Sequence, residues 1–217
     1  MSRRLLSLVL FLSLLGIFSL ALLGCGDQLL DTGMTAPDFQ DRNMYTVSMK
    51  GAFFSSGAYP FERGMPKPLV ARDNIPKDKA GLSFFLDKGP LILVLLRGFN
   101  DDDSNSALEQ LLKGYTDFTG YKANVVVVVR GKPVRGRMAF WERYERYFWC
   151  LADYPDASKR TLVGNLYKQQ LKVTRGGMMP AVFIIGQNRK IAMAYYAKKS
   201  NDFPSNETIL KFLEAIK

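Results

Sequence analysis

The chain has 217 residues, 47% of them hydrophobic, and its 30 basic and 20 acidic residues leave a formal charge of +10. It contains no histidine and two cysteines, Cys25 and Cys150. This composition excludes a histidine general base and a histidine-ligated metal, and it supplies enough apolar side chains for the core of one domain.

Arg3 and Arg4 open the chain, an apolar run follows from Leu5 to Leu23, and no acidic residue comes before Asp27. This charge asymmetry holds the start of the chain in the cytoplasm and sends the remainder across the membrane. The run approaches the ~20 residues that span a bilayer, and the competing reading is an uncleaved anchor helix in which Cys25 is a small apolar residue. Its end, Leu22-Leu23-Gly24-Cys25, resembles the bacterial lipobox. Residues 1–24 are therefore expected to be a lipoprotein signal, Cys25 the lipid attachment point, residues 25–43 a lipidated tether and residues 44–217 the domain. After cleavage 193 residues remain, in which 28 basic and 20 acidic residues leave +8. A basic surface beside a membrane suits anionic head groups or is simply solvated, and export argues against nucleic acid.

Met44 to Met49 alternates as a strand would, and Gly51 to Pro76 is a Gly-, Pro- and Ser-rich loop region with interspersed aromatics. Leu82 to Leu86 suits a short helix ended by Gly89-Pro90. The unbroken apolar runs Leu91–Leu96 and Val125–Val129 predict buried strands. Ala107, Leu108, Leu111, Leu112 and Tyr115 have helical spacing and predict a helix over 104–118. Helices are also expected over 137–147, 156–170 and 205–216, the last capped by Ser205 or Asn206. Phe148–Leu151 reads as a strand, and Ala181–Ile185 and Lys190–Tyr196 as a hairpin about Gly186-Gln187-Asn188. Strands separated by helices predict parallel pairs with right-handed crossovers, and the hairpin adds an antiparallel edge. The expected fold is α/β, a three-layer α/β/α sandwich around a mixed central sheet.

Three segments resemble the thioredoxin-fold redoxins of the alkyl hydroperoxide reductase and thiol-specific antioxidant (peroxiredoxin-like) type. They are Thr35-Ala36-Pro37-Asp38-Phe39, Gly89 through Gly98, and Met179-Pro180-Ala181-Val182-Phe183-Ile184-Ile185 with the turn that follows. The resemblance spans about Met34 to Lys217 and implies a thioredoxin-like fold. It also implies a cis-proline at Pro180 after Met179, and a reactive cysteine in the turn after the first central strand. That turn reads Arg97-Gly98-Phe99-Asn100-Asp101-Asp102-Asp103-Ser104. Asp101 stands where the nucleophile belongs and Ser104 where its partner belongs. A helix head lowers a thiol's pKa, but a carboxylate held there cannot form a disulfide.

The acidic turn is expected to cap the helix head. The alternative is a hard-cation site on Asp101, Asp103 and Asn105, although Ser106 and Leu112 occupy positions where a calcium loop needs Gly and Glu. Cys150, in an apolar strand, is expected to be an inert buried thiol. Phe140, Trp141, Tyr144 and Tyr147 are expected in the core, a partner groove being the competing reading. The resulting expectation is a membrane-anchored thioredoxin-fold lipoprotein of the bacterial envelope, facing the periplasm or exterior. It would use no cofactor or metal and would serve as a binding or structural module with an envelope protein partner. The alternative is a peroxiredoxin-like thiol oxidoreductase acting through Cys150.

Overall fold

The structure is a computed structural model that describes residues 28–39, 81–98, 101–131, 144, 147–153, 162–174 and 177–217. The expected strand at 44–49, the expected loop at 51–76, and the regions flanking Tyr144 and preceding Leu162 lie outside the described residues, as do Cys25 and the expected signal at residues 1–24.

The apolar runs form the centre. Strand β1 (Leu91–Leu96) is buried at all six positions, and β2 (Asn124–Arg130) is buried through its five valines. Each such side chain contributes about 1.5–3 kcal/mol relative to an exposed one. With β3 (Trp149–Asp153), a two-stranded ribbon β4 (Val173–Thr174) and β5 (Gly177–Met178), then β6 (Ala181–Ile185) and β7 (Ile191–Tyr196), the chain builds a main sheet in the order β3-β2-β1-β6-β7. β1, β2 and β3 pair in parallel, and β6 and β7 are antiparallel additions with an irregularity at Ile184/Ile185. The ribbon pairs Val173 with Met178 and Thr174 with Gly177.

Helices α1 (Leu82–Leu86), α2 (Asp102–Lys113), α3 (Tyr115–Gly120), α4 (Val163–Leu166) and α5 (Asn206–Ala215) cover the sheet. One face packs Val94, Val127 and Val182 against Leu108 and Leu111 of α2, Phe118 of α3 and Ile209 and Leu213 of α5. The other packs Leu93, Val126 and Phe183 against Phe39, Phe85 of α1 and Val163 of α4. Phe85 sits edge-on to Trp149 with ring centroids 5.7 Å apart, which holds α1 over β3. Two cores on one sheet make the three layers expected. Tyr144 and Tyr147 are buried in the first core, as the core reading required, while Phe140 and Trp141 lie outside the described residues.

Three boundaries differ from expectation. The helix over 104–118 divides at Gly114 into α2 and α3. A Cβ on Gly114 would lie 2.6 Å from Asn206 Nδ2 and 2.7 Å from Phe118 Cζ, so glycine lets α2 approach the start of α5. The helix expected to reach Gln170 closes at Leu166, because Lys168 takes a left-handed φ of 58° before a 3-10 turn at Gln169–Leu171. Residues assigned to the tether also belong to the fold. Thr35 bridges Lys190, and Ala36 and Phe39 are buried. Gly89, at φ 149°, leaves no room for a side chain beside the Lys122 carbonyl, so β1 starts from a glycine-only corner. Among the described residues, no helix is long and apolar enough to cross a membrane.

Candidate functional site at the head of helix α2

β1 ends at Leu96, between β2 on one side and the start of β6 on the other. Leu95 lies opposite Ala181, so Pro180 comes level with the carboxyl end of β1. Arg97 follows, and Asp101 begins α2 in an extended conformation.

Asp101 is the N-cap. Its Oδ2 accepts from the Ser104 backbone N–H at 3.2 Å and from Ser104 Oγ at 2.6 Å, while its carbonyl accepts the Asn105 N–H at 2.9 Å. Arg97 Nη1 lies 3.9 Å from Asp101 Oδ1. Ser104 is 2% exposed, so its hydroxyl is satisfied inside the corner by that carboxylate. Asp102 and Asp103 occupy the first turn, where negative charge complements the helix dipole. The capping reading holds. Successive helical residues turn by roughly 100°, so Asp103 is carried about 200° around the helix from Asp101 and the three side chains do not converge as in a calcium loop. Among the described residues, no three acidic, cysteine or histidine side chains form a metal-binding group.

The Met179–Pro180 bond is not cis, because no described peptide bond is cis. This corrects the expectation of a cis-proline at Pro180. The local bonding accounts for it. The Met179 N–H donates to Lys172 O at 2.8 Å, and its carbonyl accepts Gln169 Nε2 at 2.9 Å. The Pro180 carbonyl accepts the Ala197 N–H at 2.9 Å. Both carbonyls around the bond are therefore engaged in the trans form, which X–Pro prefers by about 0.5–1 kcal/mol.

Cys150 is not part of this corner. It lies in β3 opposite Val127, which lies opposite Val94. Two strand spacings and three residues of rise separate it from Arg97, about 14 Å. It is 6% exposed, and its Sγ is 3.7 Å from the Phe148 carbonyl.

A buried polar group escaped the sequence reading. Asp153, at the carboxyl end of β3 and 3% exposed, accepts from the Val163 and Gly164 N–H groups at 2.8 Å each. Arg130 Nη1 lies 3.9 Å from it and donates to Asn165 Oδ1 at 3.2 Å. The carboxylate thereby closes the ends of β2 and β3 onto α4. Ten residues of chain separate donor and acceptor, so no local motif could have revealed the pair.

No protein-family model and no curated protein matches the chain. Solved structures do resemble it. Peroxidoxin BcpB from Mycobacterium tuberculosis is 18% identical, with a TM-score of 0.56 over 87% of this chain and 99% of that one. The yeast mitochondrial 1-Cys peroxiredoxin is 12% identical, with a TM-score of 0.58 over 86% and 76%. The thioredoxin domain of a thiol-disulfide oxidoreductase from Bacteroides vulgatus is 14% identical, with a TM-score of 0.51 over 85% and 99%. The fold is thioredoxin-like. At these identities the likeness concerns the scaffold, and chemistry has to be argued from the site.

Proposed function

We propose that this chain is an exported, lipid-anchored thioredoxin-fold protein that serves as a binding or structural module at the bacterial cell envelope. In this reading it faces the periplasm or exterior, has an envelope protein as its partner and performs no thiol redox chemistry. The observation that carries the proposal is the Asp101–Ser104 pair at the head of α2, where a carboxylate and a hydroxyl satisfy each other; the resemblance assigns this turn to a reactive cysteine. Peroxide reduction requires a thiolate to attack the O–O bond, becoming a sulfenic acid as water leaves. Asp101 has no equivalent oxidation. Lipidation at Cys25 rests on the Arg3-Arg4 start, the apolar run and the lipobox-like Leu22–Cys25.

The enzymatic alternative assigns catalysis to Cys150, and the burial of that thiol among Val127, Tyr147 and Phe148 weighs against it. Peroxide consumption in the presence of a small dithiol, measured for the protein and for Cys150→Ser, tests the choice. We expect both to match the protein-free rate. A rate above it that disappears in Cys150→Ser would establish the oxidoreductase instead. The anchor is tested separately: Cys25→Ser should lose the mass of the acyl groups and leave the membrane fraction.

A further inference from the structure

A turn at Asp31–Met34 fastens the segment before the first helix to the edge of β7, and the turn closes on a methionine. The Met34 N–H donates to Asp31 O at 3.2 Å, and the Asp31 N–H donates to Met34 Sδ at 3.3 Å. Gly33 supplies the left-handed φ of 84° between them. The turn then clasps the strand. The Gly33 N–H donates to Ile191 O at 2.7 Å, and the Ile191 N–H donates to Met34 O at 2.9 Å. Farther along, Thr35 bridges Lys190, and the Ala36 N–H donates to Arg189 O at 2.8 Å.

Met34 therefore joins strand pairing, packing and turn closure in one residue. Its backbone pairs with β7, its side chain packs against the core face that contains Phe183 and Ile191, and its sulfur accepts the Asp31 N–H. The side chain is half-buried, whereas Met179 and Met193 are 4% and 5% exposed. A thioether sulfur carries a second lone pair, and that pair does not face the Asp31 N–H.

We propose that Met34 is an oxidation site and that its sulfoxide unclasps residues 30–34 from β7. The oxidant class is a peroxide. The sulfur lone pair attacks one oxygen of hydrogen peroxide, an S–O bond forms and the O–O bond breaks. The departing hydroxide takes the proton from the transferred oxygen and leaves as water, so sulfur is oxidised as peroxide is reduced. The oxidised sulfur is electropositive and no longer accepts the Asp31 N–H. Its new oxygen is polar and draws the side chain off the apolar face into water. Opening stops at Thr35, because Ala36 and Phe39 are buried and Asp38 is paired with Arg189 at 3.1 Å. The step is stoichiometric and involves a thioether, so it needs neither thiol catalysis nor a lipid at Cys25.

The test exposes the full chain to hydrogen peroxide and follows peptide masses together with amide exchange at Gly33, Ala36 and Ile191. Met34 should gain an oxygen before Met179 and Met193 do. The Gly33 and Ile191 amides should then exchange about fivefold faster, with Ala36 unchanged. The two epimer-specific methionine sulfoxide reductases, supplied with a dithiol, should release that oxygen as water and restore protection. Met34→Leu keeps an apolar side chain without sulfur, and its Gly33 and Ile191 amides should not respond to peroxide, whatever their starting rate. A Met34 that stays unmodified overturns the site. An oxidised Met34 with unchanged exchange, or an equal response in Met34→Leu, overturns the unclasping.

Discussion

Asp101 and Ser104 bond to each other twice, through the Ser104 hydroxyl at 2.6 Å and its backbone N–H at 3.2 Å, at the head of the helix that follows the central strand. The pair closes the head of α2 as an N-cap. The helix dipole remains, but it is met by a carboxylate with Asp102 and Asp103 behind it.

Asp101→Ala removes the acceptor for both Ser104 groups and leaves a buried hydroxyl unbonded. We expect a loss of about 2 kcal/mol, with Asp101→Asn much closer to the parent. Urea unfolding of the three proteins measures this. Equal stability of parent and Asp101→Ala would show that the cap contributes nothing.

Cys150 should react with a thiol reagent only as fast as the domain opens, and at the full rate in denaturant, because it is 6% exposed within β3. Stopped-flow labelling with and without urea makes the comparison. Fast labelling under native conditions would contradict the burial described here.

Gly114→Ala sets two opposing effects against each other. The φ of −90° suits alanine, and restricting the unfolded chain favours it by about 0.4–1 kcal/mol. The added methyl meets Asn206, whose Nδ2 donates to Gln110 O at 2.6 Å, and Phe118 of the core. Overpacking typically costs about 1–3 kcal/mol, so we expect net destabilisation, read as a lower thermal midpoint. A higher midpoint would mean that α2 and α5 separate without cost.

Asp153→Ala strands the Val163 and Gly164 N–H groups and leaves Arg130 without its carboxylate. The expected loss is about 3 kcal/mol. Asp153→Asn, which keeps one acceptor, should lose less. Hydrogen exchange at Val163 and Gly164 provides a local readout, since both amides should lose protection first.

The hydroxyl of Tyr195, and then the Lys198 N–H, hold the Asp202 carboxyl below its ordinary pKa. A depressed folded-state pKa contributes stability that is present above the unfolded value and lost as pH falls through the folded one. Burial, followed by the bond to Asp202, pushes the Tyr195 phenol up to about 12, so its contribution is present below about 10 and fades as pH rises toward 12. Tyr195→Phe removes the largest cause at Asp202. NMR titration should then find that carboxyl moved toward the ordinary range, and an unchanged titration would sink the assignment.

The strands were legible because their burial is complete. Leu91–Leu96 and Val125–Val129 are apolar at every position, and such runs read as central strands wherever they occur. Ser205 as a cap was legible for a different reason: its Oγ accepts from the Thr208 N–H three residues away, a contact written within one turn of sequence. The split at Gly114 was not legible, because the side chain that demands it belongs to Asn206, ninety residues later in the fold's own packing.

By itself, the sequence determined that residues 97–104 carry no cysteine, that no histidine is present to act as base or ligand, and that the core is built on unbroken valine and leucine runs. These follow from residue identity and short-range pattern. Tertiary structure alone decided that Cys150 lies about 14 Å from Arg97, that the Met179–Pro180 bond stays trans, and that Asp153 closes α4. Each depends on which distant backbone groups meet, and strand order and register set those meetings.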